Sequence, residues 1–189
     1  MKSTVSILML TATLAFAAAT AHADEYADTI EVFKKSAGSA AFFQHAYGYA
    51  VFPTVGKGGL VVGAAHGTGR VYRQGTYIGD TSITQVSIGF QAGGQAFSEI
   101  IFFENKAALD RFTTGNFELA ATAQATAITA SATATATTTG SGAGASGTKN
   151  SAATAGVYQD GTAIFTVAKG GLMYEATVAG QKFSYKPNK

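Results

Sequence analysis

Glycine spacing constrains this chain more than any other feature. In "GGLVVGAAHGTGRVYRQGTYIGD", from Gly58 to Asp80, no stretch goes far without a glycine, and much of what lies between is β-branched or aromatic. Each glycine inside a helix costs about 1 kcal/mol relative to alanine, so a long helix is excluded here. Short strands separated by glycine turns fit the pattern. One heptapeptide also occurs nearly twice, as "TVGKGGL" at Thr54–Leu60 and "TVAKGGL" at Thr166–Leu172. A glycine pair after a lysine permits positive φ and frees backbone N–H groups for a turn or an anion. Each copy therefore reads either as a tight strand connection kept soluble by its lysine, or as a phosphate contact. On the second reading Lys57 and Lys169 are pseudo-equivalent ligands on one edge of a sheet.

The rest of the chain divides around this β signal. Met1–Lys2, the apolar "ILMLTATLAFAAA" and the small-x-small "AHA" at Ala21–Ala23 have the layout of a secretory leader. The apolar run is shorter than the roughly 20 residues that span a bilayer. Residues 1–23 are thus read as a signal peptide and residues 24–189 as one domain. Such a domain buries about 70% of its unfolded surface without staples. No cysteine is present, so packing must hold an exported domain together, and lipidation at an N-terminal cysteine and thiolate zinc sites are ruled out.

In "DEYADTIEVFKKSAGSAAFFQHA", Tyr26, Ile30, Phe33, Ala37 and Ala41 recur at helical steps, with Lys34 and Lys35 late in the helix and Gly38 as its weak point. That helix reads as a lid with its aromatic face on the sheet, or as a membrane-inserting segment carrying Phe33 beside the lysines; periodicity does not separate the two. "YAVFPTV" reads as a short strand ended by Pro53. Ile83, Val86, Ile88 and Phe90 depart from strict alternation, which predicts a bulge or two-sided burial. Asn105 is a suitable N-cap for a short helix, "KAALDRFTTG", stopping near Gly115. The Ala/Thr tract "ATAQATAITASATATATTTG" reads as strands in preference to a linker, and Gly140–Gly156 as a flexible loop. The fold class expected is α+β: a glycine-rich, mainly antiparallel sheet with a barrel-like core, an N-terminal helix and a short mid-chain helix.

Several chemistries find no support. Val51 occupies the place of the first P-loop glycine, and Lys57 is followed by Gly58, not Ser or Thr. "GTGRVY" lacks the third glycine of a dinucleotide fingerprint. His45 and His66 have no helical ligand partner, so packing or surface placement is expected and no metal or cofactor. No serine sits in a nucleophile elbow. An enzyme is not expected. The formal charge of +2, one less without Lys2, gives no general attraction to nucleic acid. Anion binding must come from local groups, and a lysine near an anionic lipid surface contributes roughly 1 kcal/mol.

"GYAVFPTVGKGGLVVGAAHGTGRVY", "SIGFQAGGQAFSEIIFFENKAALDRFTTGNFEL" and "VYQDGTAIFTVAKGGLMYEATVAGQKFSY" together resemble the SYLF domain family, over almost the whole mature chain and in the family's order. The resemblance implies a non-enzymatic, phospholipid-binding domain, with phosphoinositides as ligands of eukaryotic members and actin filaments as partners of fungal ones. Basic residues and an amphipathic N-terminal segment assist lipid contact in eukaryotic members, and that segment maps here onto residues 24–46 with Lys34 and Lys35. An exported copy does not ordinarily meet cytoplasmic actin, and its ligand is expected to be another anionic phospholipid of a bacterial envelope. The lipid-contacting set is thus Phe33, Lys34, Lys35, Lys57 and Lys169. The protein is expected in the periplasm, at the outer membrane or secreted. The rival reading, drawn from the Ala/Thr tract and the low charge, is a structural or surface-antigen protein that contacts envelope proteins.

Overall fold

The computed structural model describes residues 25–59, 62–88, 95–120, 123, 125–128, 157–169, 178 and 180–189. The leader, the loop at Gly140–Gly156 and all of the Ala/Thr tract beyond residue 128 lie outside the described residues. Within them, eight strands form one sheet: β1 (Gly48–Gly59), β2 (Val62–Arg73), β3 (Thr76–Ile88), β4 (Gln95–Phe103), β5 (Phe117–Glu118), β6 (Thr126–Ile128), β7 (Thr162–Lys169) and β8 (Lys182–Pro187). Their order is β5-β8-β3-β2-β1-β4-β7-β6. Every pair is antiparallel except β6 with β7.

The sheet curls into a half-barrel. Phe52 on β1 and Phe183 on β8 are three strands apart, which is about 14 Å in a flat sheet. Their ring centroids are 5.7 Å apart, so the face they share is concave. That face holds the larger core: Ala50, Phe52 and Val55 meet Ile83, Phe97, Ile101 and Phe103. Helix α3 (Lys106–Phe112) contributes Leu109 and Phe112 to it. Asn105 caps α3 as expected, accepting from the Ala108 N–H at 3.0 Å, and Gly115 has φ +84. Asn105→Ala is expected to lower stability by about 1 kcal/mol, read from the urea midpoint; an unmoved midpoint would count against the cap.

The convex face is half covered. Helix α1 (residues 25–35) and α2 (Phe42–His45) lie over β1, β4 and β7, and the break between them contains Gly38, the expected weak point. They enclose a second core in which Phe33 and Ile30 meet Val51, Ile100, Phe102 and Phe165. Over β3 and β8 the described convex-side residues Asp80, Thr84, Val86, Lys182, Ser184 and Lys186 are exposed, while β2 meets α1 where Tyr26 lies on Arg70.

Two strand expectations are corrected. Pro53 does not end its strand: β1 runs through it with a bulge, where the register to both neighbours shifts between Val51 and Thr54 and between Phe52 and Val55. A bulge absorbs the missing proline N–H and leaves an unpaired residue. On β3, Thr81, Ile83 and Gln85 are buried while Thr84 and Val86 are exposed, so residues 81–86 alternate with no bulge; the Ile88 side chain and Phe90, the rest of that expectation, lie outside the described residues. The apolar Val86 misled the pattern, because it points to solvent at 75% exposure.

Candidate functional site

The two heptapeptides lie side by side. Val55 faces Phe97 on β4, and Phe97 faces Ala168 on β7, so both copies flank β4 at the same end of the sheet. They are offset by one residue, since repeat equivalence would place Val55 level with Val167. A one-residue offset reverses the facing of every side chain. Lys57 stands opposite Ala65, a concave-side core residue. Lys169 lies instead in the convex row that crosses Ala96 and Gly56. The expectation of two equivalent lysines on one surface is thereby corrected.

Lys169 is engaged from the other copy. Its ammonium donates to Thr54 Oγ1 at 2.6 Å and to Glu25 Oε1 at 3.3 Å, while Thr54 Oγ1 donates to that carboxylate at 2.9 Å. This cluster ties the start of α1 to the sheet. Farther along, Arg70 lies against the rings of Tyr26 and Tyr77 at 4.3 and 5.3 Å, contacts worth about 0.5–1 kcal/mol where exposed.

Phe33 is fully buried. Its ring belongs to the second core, which corrects its assignment as a lipid contact and gives α1 the lid role. The lysines that follow it remain outside. Lys34 is paired with Glu31 at 2.9 Å, and the hydrogen bond together with that charge holds the Glu31 carboxyl below its usual range. Lys35 makes no ion pair among the described residues and is exposed. Lys34, Lys35 and Lys169 thus share the convex side, with Lys57 on the other.

The exposed part of the convex face carries cations that the sequence reading passed over. One cross-strand row runs Glu118, Lys182, Thr84, His66, Gly56, Ala96, Lys169, with Lys182 paired to Glu118 at 3.7 Å at one end and Lys169 to Glu25 at the other. A parallel row begins Lys186, Asp80, Arg70. Between them lie Ser184, Ser82 and Thr68, the two serine hydroxyls 2.7 Å apart. The alternation in "KFSYK" was the available signal: Phe183 points in, and Lys182, Ser184 and Lys186 point out.

The concave side holds a different kind of group. Glu99, entirely buried, faces Phe52 on one neighbouring strand and Thr166 on the other. Gln181 donates to its Oε2 at 3.0 Å. Glu99 Oε1, Gln181 Oε1 and Thr166 Oγ1 have no hydrogen-bond partner among the described residues. Burial pushes the Glu99 carboxyl up to about 8, against the smaller opposing effect of the Gln181 hydrogen bond, so it is neutral at pH 7. His45 and His66 are exposed, and no cluster of three metal-binding side chains occurs among the described residues. No described helix is long and apolar enough to cross a membrane.

The chain is 29% identical over 161 residues to Beta cell expansion factor A of Aeromonas veronii, a match covering 83% of this chain and 53% of that protein. It therefore spans about half the length of that curated relative. Residues 84–188, from β3 to the end of β8, match the family described as Las17-binding protein actin regulator, Ysc84. More than half of the sequence lies in that match, and the chain belongs to this SYLF-type family.

Proposed function

We propose that this protein is an exported, non-enzymatic domain that binds anionic phospholipid at a bacterial envelope through its convex face. Family membership is the observation that carries the reading. The geometry supports it in a specific form. Lys35 at the end of α1, Lys34 beside it, and the row from Lys182 through His66 to Lys169 place basic residues on one side of the sheet, among small hydroxyl and glycine residues and the exposed Val86. Such a convex surface of mostly short side chains lets head groups approach the ammonium groups closely. Because α1 keeps its apolar side on the sheet, contact is electrostatic and not insertional in this conformation. It weakens as salt shortens the screening length to about 8 Å at physiological strength.

Flotation with liposomes of phosphatidylglycerol or phosphatidylcholine tests the proposal. Binding only to the anionic vesicles, lost at high salt, is expected; equal and negligible binding to both would reject it. Replacing Lys34 and Lys35 together by glutamate is expected to weaken anionic binding by at least about tenfold and to flatten its salt dependence. An unchanged salt response would remove those two residues from the surface.

A further inference from the structure

The two ends of the curled sheet come together at a seam. β5 is the strand at one end and β7 lies next to the other, yet Phe117, Glu118 and Leu119 line the same cleft as Thr162 and Ile164. The cleft measures about 190 Å³. A cavity of ~150 Å³ accommodates benzene, so this one suits a polar head group and not a pair of acyl chains.

Its walls have two characters. Leu119, Ile164, Phe117 and Val157 are apolar, and Val157, 66% exposed, marks the open rim. Arg111, Asp160 and Glu118 supply charge. The Arg111 guanidinium donates to the Asp160 carbonyl at 2.6 Å and makes no ion pair among the described residues. Asp160 sits with φ +50 in the two-residue turn with Gly161, φ +78, and its carboxylate has no cationic partner among the described residues. Glu118 is shared with Lys182 at 3.7 Å. A wholly anionic ligand would meet the Asp160 carboxylate, which lacks a cation among the described residues, and a wholly cationic one would leave Arg111 uncompensated. A zwitterion satisfies both signs.

We propose that the seam cleft binds an ammonium–phosphate zwitterion of the phosphoethanolamine type, with Arg111 on the phosphate, Asp160 as the main ammonium partner, and the lipid stem leaving past Val157. Arg111 suits the phosphate because its planar donors engage two oxygens at once. The proposal rests on the lipid-binding reading and adds a head-group site, separate from the convex face, to it.

Calorimetric titration of the whole protein with dihexanoyl phosphatidylethanolamine, dihexanoyl phosphatidylglycerol and free phosphoethanolamine, each below any micelle concentration, tests it. The ethanolamine lipid is expected to bind at least tenfold tighter than the glycerol lipid, and Arg111→Gln to lose at least tenfold. Asp160→Asn is the control for folding, because asparagine tolerates positive φ; it is expected to erase the preference between the two lipids while the turn persists. Equal or tighter binding of the glycerol lipid that Arg111→Gln also weakens, or an unchanged preference in Asp160→Asn, overturns the site, whereas glycerol-lipid binding that Arg111→Gln leaves intact belongs to the convex face. Free phosphoethanolamine binding as tightly as the lipid overturns the lipid stem and assigns the site to a soluble zwitterion. Flotation on anionic liposomes is run in parallel. A protein that floats but ignores both short-chain lipids refutes the cleft alone, and one that binds the ethanolamine lipid without floating refutes the convex-face reading alone.

Discussion

Glu99→Gln is expected to make stability nearly flat between about pH 5 and pH 8, where that of the natural chain falls. The folded carboxyl lies at about 8 against 4.5 for the ordinary group, raised by burial. Between those values the folded chain retains a proton that the unfolded chain releases. Stability contributed by the neutral form is therefore complete below 4.5 and is lost as pH rises through about 8, at up to ~1.4 kcal/mol per pH unit. Glutamine has the shape of the protonated acid and cannot ionise. Its amide also supplies a donor beside the Gln181 and Thr166 oxygens, which lack a partner among the described residues. The lowered Glu31 titrates below 4.5 and does not enter this window. Urea unfolding of both proteins at about pH 5, 6.5 and 8 decides the matter. Parallel curves would show that Glu99 is already ionised in the folded chain.

The architecture was legible because its signals are local. Glycines mark the turns, as at Gln74–Gly75, where φ values of +49 and +81 build the hairpin between β2 and β3. Asn105 marks a helix start and Gly38 a helix break without reference to anything distant. The surface was less legible because it depends on parity. The bulge at Pro53 reverses the facing of everything after it on β1, and nothing in "YAVFPTV" announces that the strand survives its proline. The one-residue offset between the heptapeptides is fixed by β4, a third segment remote from both. Two nearly identical stretches thus present their lysines to opposite faces. Arg111 and Asp160 meet because β7 pairs with β4 and α3 follows β4 directly, a relation between residues 49 positions apart that no local pattern announces.

Phe33→Ala is expected to cost about 3–5 kcal/mol, the range for emptying a buried phenylalanine site. The Phe33 ring is fully enclosed by the second core. Its carbonyl also accepts from the buried Ser39 hydroxyl at 2.5 Å, which fixes the chain where α1 ends. Deleting the ring leaves a void between helix and sheet, while the polar tie of Glu25 to Lys169 at the far end is half exposed and worth no more than about 1 kcal/mol. Amide exchange in residues 25–35 should accelerate before that of β1 or β4, because α1 loses its main apolar anchor. The double replacement of Lys34 and Lys35 by glutamate, one and two residues away, should cost no more than about 1 kcal/mol, since the Lys34–Glu31 pair it breaks is exposed. That contrast separates lid from membrane anchor. A ring held for lipid would give the reverse pattern, with stability untouched by Phe33→Ala and liposome binding lost.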